Sequence, residues 1–244
     1  MKFLVCISNV PDTTTKITFT PDNKEFNKAG VQFVINPWDE YALTRAIELK
    51  EADASNTIHL VTVGGADADP IIRKALALGG DEAFRINAEP SESYFVAAQI
   101  AEIAKGYDLV LLGKETIDYN GGAVGGMLAE LLDVPYVANA TNLQIAGTTA
   151  TVKREIEGGE ETLEASLPLV VSCQKGMAEA RIPNMRGIMA ARTKPLKVVE
   201  PSSAEALTQY TAFQLPPAKA GVKLVSPDNV DDLVRMLHEE ARVF

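Results

Sequence analysis

Apolar runs of strand length alternate with segments of helical period from Met1 to about Pro135. The first run, Phe3–Ser8, suits a strand buried on both faces and is far shorter than the ~18–20 residues of a membrane span. After an irregular stretch, Asn36-Pro37-Trp38-Asp39 opens a helix that runs to about Lys50. Asn36 suits the N-cap, Pro37 the first helical position, and Asp39 and Glu40 the positive end of the helix dipole. Ile58–Val63 reads as a strand ending in Gly64-Gly65, and Asp69–Leu78 as a helix with Ile72, Ala75 and Leu76 on one face. Glu82–Ile86 is a further strand, Ser91–Lys105 a helix, Leu109–Leu112 a strand ending in Gly113, and Gly122–Leu132 a helix. Such alternation with short connections predicts right-handed βαβ units and a parallel sheet covered on both faces.

Beyond Val134 the rhythm changes. Asn142–Ile145, Thr151–Ile156 and Glu161–Ala165 read as short strands with turns at Gly147 and Gly158-Gly159, a small antiparallel insertion. Leu167–Cys173 returns as a continuous apolar strand for the sheet core. From Gln174 to Lys197 there is neither period, and Lys175, Arg181, Arg186, Arg192, Lys194 and Lys197 face a single acid, Glu179. Residues 200–219 form a connector, and Ser226-Pro227-Asp228 caps a short helix with Val230, Leu233, Val234 and Leu237 along one stripe. The expected fold is α/β: a three-layer, Rossmann-like parallel sheet with helices on both faces, a small antiparallel β insertion and an extended C-terminal arm. Residues 1–199 would form the nucleotide-binding domain, with a basic loop at 174–195, and residues 200–244 the arm.

Composition narrows the chemistry. With 244 residues, 46% hydrophobic and 23% charged, the chain can bury a full core, which excludes disorder and a disulfide-stapled miniprotein. A formal net charge of −10 argues against a nucleic-acid binder. Cys6 and Cys173 lie far apart without a metal-ligand pattern, which fits a reducing compartment. His59 and His238 are the only histidines, and no nucleophile motif accompanies either, so the composition leans away from hydrolases and from a metal site. Met1–Ser8 is too short for a secretory segment and stops at Asn9-Val10-Pro11-Asp12 without a small-residue cleavage site. A cytoplasmic protein whose first strand lies at its N-terminus is expected.

In an open parallel sheet, ligands bind beyond the carboxyl ends of the strands where strand order reverses. That selects Ser8–Asp12, Val63–Ala66 and Gly113–Gly126. The last is richest in small residues, which let backbone N–H groups at a helix start approach a phosphate. Asn36, at another helix start, could bond a nucleobase or ribose. These glycines could equally serve only tight turns and close helix contacts. No Gly-Lys-Ser/Thr follows them, so this is not a Walker A loop, and the dinucleotide fingerprint is absent from the first βαβ unit. The basic loop has three readings: solvated surface, a phosphate patch, or a docking surface with Ile182, Met185, Ile188 and Met189 between the charges. The C-terminal arm could fold onto its own domain or lie across a partner. Trp38 could be core or stand against an aromatic cofactor.

Several segments in order resemble the electron-transfer flavoprotein beta subunits. They are Val10-Pro11-Asp12, Asn36-Pro37-x-Asp39-Glu40-x-Ala42-Leu43, Leu111-Leu112-Gly113-Lys114-x-x-Ile117-Asp118 and Lys153-Arg154-Glu155-Ile156-Glu157-Gly158-Gly159-x-Glu161. Leu167-Pro168, Gly187-Ile188-Met189-x-Ala191 and Lys194-Pro195-Leu196 complete the set, which covers essentially the whole chain. The resemblance implies a heterodimer with a larger alpha subunit that holds most of one FAD. That flavin takes electrons from acyl-CoA dehydrogenases of fatty acid oxidation and other flavin dehydrogenases and passes them to a membrane quinone oxidoreductase. The beta subunit is then a scaffold with no catalytic side chains of its own. It buries a structural AMP, or in the electron-bifurcating branch a second FAD. Carried onto this chain, the AMP pocket implies Cys6, Asn36, Pro37, Trp38, Asp39, Val63, Gly113, Lys114, Asp118, Asn120, Gly121, Gly122, Ala123 and Val124. Thr13 and Trp38 would lie near the shared FAD. Dehydrogenase recognition would fall to Arg181, Ile182, Pro183, Met185, Ile188 and Met189, with Met185 in the place of the family's aliphatic anchor. The arm would extend onto the alpha subunit.

This sequence departs from the family at Ser8-Asn9, where a basic pair is usual. Gly122-Ala123-Val124-Gly125 replaces an amide-bearing nucleotide loop, leaving ligand contacts there to backbone N–H groups. A reading of another class is a stand-alone regulatory protein that binds an adenine nucleotide.

Overall fold

Phe3, Leu4, Val5 and Cys6 are all buried, and successive side chains point to opposite faces of one sheet. Phe3 and Val5 join one apolar core, Leu4 and Cys6 the other. This two-sided burial demands helices on both faces. The computed structural model describes residues 1–219 and 221–244. Two compact units result, Met1–Ile17 with Asn27–Thr211, and Thr18–Phe26 with Ala212–Phe244.

The larger unit runs β1 (Lys2–Cys6), β2 (Asn9–Pro11), β3 (Phe33–Ile35), α1 (Pro37–Ala52), β4 (Thr57–Val63), α2 (Asp69–Leu78), β5 (Glu82–Ile86), α3 (Ser93–Ala104), β6 (Leu109–Gly113) and α4 (Val124–Leu132). It continues through β7 (Tyr136–Ala146), β8 (Thr149–Ile156), β9 (Gly159–Ser166), β10 (Leu169–Cys173), α5 (Met185–Ala191) and β11 (Leu196–Val199). Nine strands form one sheet in the order β11-β5-β4-β1-β6-β10-β7-β8-β9, while β2 and β3 pair antiparallel on their own. Neighbours from β11 to β7 are parallel, and β8 and β9 continue the sheet antiparallel. The antiparallel strands expected after Val134 therefore extend the main sheet. Their two-residue connections hold Gly147 and Gly158 at positive φ.

Helices α1 and α2 cover one face through Ala42, Leu43, Ala46, Ile47, Ile72, Ala75 and Leu76. Helices α3 and α4 cover the other through Ala97, Ile100, Ala101, Leu128 and Ala129. The chain steps outward from β1 to β4 and β5, then crosses back through α3 to place β6 on the other side of β1. Strand order thus reverses at β1, and the ends of β1 and β6 frame the place where a ligand cleft forms in such sheets.

The stretch 174–197, read as lacking either period, holds two regular elements. Helix α5 starts at an Asn184 N-cap that accepts a bond from Gly187 N (2.8 Å), and β11 pairs with β5 at the sheet edge. In the smaller unit Phe19 bridges Phe26 and stacks on Phe213 with centroids 5.2 Å apart. Helix α6 (Val230–Arg235) follows a turn at Ser226–Asn229 and continues as a wider turn over Met236–Glu240. Its apolar residues Val230, Leu233 and Val234 are exposed. Among the described residues no helix is long and apolar enough to cross a membrane.

Candidate functional site

Helix α1 begins directly against the end of β6. A Cβ on Gly113 would come within 2.5 Å of Asp39 Oδ1 and 2.6 Å of Trp38 Cβ, so only glycine permits this approach. Asp39 joins three elements at this point. Its Oδ2 accepts from Ser8 N after β1 (2.7 Å), and its Oδ1 accepts from Gly113 N (2.8 Å) and from Asn36 Nδ2 (3.1 Å). Burial pushes its carboxyl up to about 6, against the three donors that favour the charged form.

Asn36 is completely buried at the N-cap of α1, yet its side chain does not cap the helix. Its Nδ2 also donates to Glu115 O (2.8 Å), tying α1 to the loop after β6, while its Oδ1 is buried without a hydrogen-bond partner. A buried acceptor left open is where a donor on a bound group would gain most. Pro37 is exposed at the first helical position. Trp38 is half-buried, with Lys114 Nζ 4.5 Å from its ring centroid and Tyr41 packed at 6.0 Å. Lys114 also reaches Glu115 at 3.5 Å.

Cys6 ends β1 with a free, buried thiol that burial holds far above its ordinary range, and Cys173 at the end of β10 is in the same state. Neither is a reactive thiolate; each supplies shape. Val63 is buried at the end of β4, two residues beyond the partner of Cys6.

The loop after β6 folds back on itself: Thr116 N donates to Gly121 O (3.1 Å), Asn120 N to Thr116 O (2.9 Å), and Asn120 sits at φ 58°. A Cβ on Gly122 would stand 3.0 Å from Lys114 O. Asp118, Asn120, Gly122 and Ala123 are exposed, and Gly121 and Val124 half-buried. The N-terminus of α4 has no side-chain cap and no acid in its first turn. The result is a rim of backbone N–H groups at a positive helix end, suited to an anion. Thus Asn36, Trp38, Asp39, Gly113, Lys114 and Gly122 come together. Thr13 is exposed in the turn after β2, where Thr14 bonds Asp12.

The second group lies on and before α5. Ile182, just before α5, is 93% exposed, and on the helix Met185 is 72% and Met189 54% exposed, an unusual display of apolar side chains for so short a segment. Arg181 is held by a bidentate pair with Glu51 (2.6 and 2.9 Å), and Pro183 is half-buried. Lys197 pairs with Glu82, and Lys194 turns inward to helix carbonyls. The basic segment is thus partly spent on internal bonds. Sequence reasoning missed α5; the signal was Asn184 before the Met-Arg-Gly-Ile-Met-Ala-Ala run.

The sequence model of the family described as "Electron transfer flavoprotein domain" matches residues 25–204. The electron transfer flavoprotein subunit beta of Bacillus subtilis (strain 168) is 37% identical over 259 aligned residues, covering all of both chains. The chain belongs to the electron transfer flavoprotein beta-subunit family. The subunit beta of Syntrophomonas wolfei subsp. wolfei is 39% identical over 92% of this chain and 90% of its own. The human subunit beta is 33% identical over 100% and 99%. Membership implies a role in electron transfer and an alpha subunit as partner.

Proposed function

We propose that this chain is the non-catalytic scaffold of a cytoplasmic two-subunit electron carrier. In this reading it holds a structural AMP at the switch point of its sheet. It shares one FAD with the alpha subunit, docks on acyl-CoA and related flavin dehydrogenases, and delivers electrons to a quinone oxidoreductase. The observation that carries the nucleotide reading is the conjunction at the β1/β6 ends. The uncapped start of α4, with its exposed small residues, follows the loop whose Glu115 O takes Asn36 Nδ2, and Asn36 keeps an open buried acceptor there. Phosphate would fall to the backbone N–H groups of Gly122–Val124, and Asn36 Oδ1 would accept from a base or ribose donor. Asp39 holds Asn36 and the ends of β1 and β6 in place. Cys6, Val63 and Gly113 close the floor.

When bound, FAD supplies the acceptance and release of electrons, which leaves little chemistry for protein side chains. What this chain contributes is position. Trp38, with the Lys114 ammonium over its ring, presents a half-buried aromatic at the mouth of the site. Helix α5 offers Met185 as an unbranched anchor for an apolar pocket on a dehydrogenase. The exposed stripe of α6 is the surface offered to the alpha subunit.

Affinity purification of the tagged chain from its own cells tests this reading. The expected product is a yellow complex of two different subunits with a flavin absorbance spectrum. A colourless, stable monomer that retains an adenine nucleotide would instead establish the stand-alone regulatory reading.

A further inference from the structure

Helix α5 is too short to persist alone in water, so its shape must come from what holds it. It is held by reciprocal bonds with α2. Lys194, three residues past the end of α5, donates from Nζ to Leu76 O (2.8 Å) and Gly80 O (2.6 Å), at and beyond the last turn of α2. In the opposite direction Arg73 of α2 donates from Nη1 to Ala191 O (2.8 Å) and Lys194 O (2.7 Å), at the end of α5. Each helix end, rich in unpaired carbonyls and negative by its dipole, thus receives a cation from the other's segment. Between these clamps Gly187 lies so close to Ala77 O that a Cβ would stand 2.3 Å from it.

The mount is itself anchored. At the other end of α2, Asp69 meets the buried Arg85 at 2.8 Å, and Arg85 also donates to Gly64 O (3.0 Å) and Asn87 Oδ1 (2.8 Å). Helix α2 is fixed to β5 at its start and to the α5 segment at its end.

We propose that Arg73 and Lys194 are positioning residues for docking, clamping α5 on α2 so that Met185, Ile188 and Met189 stand as a preformed ridge before any partner arrives. The inference rests on the docking reading of α5 given above. A ridge ordered in advance spares the complex the entropy of immobilising a loop. It also gives Arg73, which lies on α2 outside the ridge itself, a share in partner affinity.

The test uses the assembled two-subunit complex, with an acyl-CoA dehydrogenase and its acyl-CoA as electron donor. Lys194→Met keeps the apolar stem and removes the donor. Expected are amide hydrogen exchange at residues 185–193 at least about tenfold faster, and a KM for the complex about tenfold higher with a smaller change in kcat. Flavin content stays unchanged, and Lys194→Arg restores both values. If Lys194→Met fails to assemble, Arg73→Met breaks the other half of the clamp and is read the same way. Unchanged exchange in both variants would overturn the proposal. So would faster exchange with an unchanged KM while Met185→Ala raises it. An unchanged KM in Met185→Ala as well would overturn the docking reading itself, and the positioning role with it.

Discussion

At the scale of single residues, the decisive one is Asp39. Its carboxyl, ordinarily near 3.8, is pushed up to about 6 by complete burial, while Ser8 N, Gly113 N and Asn36 Nδ2 hold its oxygens. Between those two values the folded chain binds more protons than the unfolded chain, so Asp39 makes stability fall as pH rises from about 4 to about 6. Two units of separation correspond to about 3 kcal/mol. The thiols of Cys6 and Cys173 that face it stay protonated throughout that window. Asp39→Asn should abolish the slope. Its amide would also set an N–H against a backbone donor, so the variant should be less stable than the parent at pH 4, with the gap narrowing toward pH 6.5. Denaturation midpoints across that range check it; parallel profiles would contradict the assignment. Sequence alone identified Asn36 and Asp39 as belonging together at a helix start. It could not reveal that they bond each other, because the groups that hold the pair inward, Gly113 N on Asp39 and Glu115 O on Asn36, lie far along the chain.

At the scale of elements, the main-sheet strands and the helices up to Leu132 were legible because their apolar period matches a sheet covered on both faces, whereas β2 and β3, three residues each, fell in a stretch read as irregular. Asp69–Leu78 and Glu82–Ile86 fall where the pattern puts them. Helix α5 and strand β11 were not legible. Seven and four residues are too few to show a period, and both take their order from neighbours, α2 and β5. Their dependence gives a prediction. Gly→Ala inside a helix normally gains up to about 1 kcal/mol. At Gly187 the new methyl would meet Ala77 O at 2.3 Å, a backbone atom that cannot yield, so α5 must lift from α2 at a net cost of about 1–3 kcal/mol. At Gly126 in α4 the nearest atom is 3.7 Å away on Tyr136, and the same change should stabilise by about 0.5–1 kcal/mol. Urea midpoints of the two variants should move in opposite directions. A stabilised Gly187→Ala would mean that α5 is free of α2.

At the scale of the whole molecule, family and fold were legible from ordered motifs spread along the chain, and the full-length relatives agree with them. The working parts sit where the fold puts them. In the proposed reading, the nucleotide cleft lies where strand order reverses, the docking ridge is helix α5 held on α2, and the exposed apolar stripe of α6 serves the alpha subunit. The central claim is that the cleft holds a structural AMP and that the redox flavin is shared between subunits. The direct measurement is the nucleotide content of the complex isolated from its own cells, released by denaturation and resolved by chromatography with mass detection. The account predicts one FAD and one AMP per pair of subunits. Two FAD and no AMP would contradict it and make the cleft at the β1/β6 ends a second redox site.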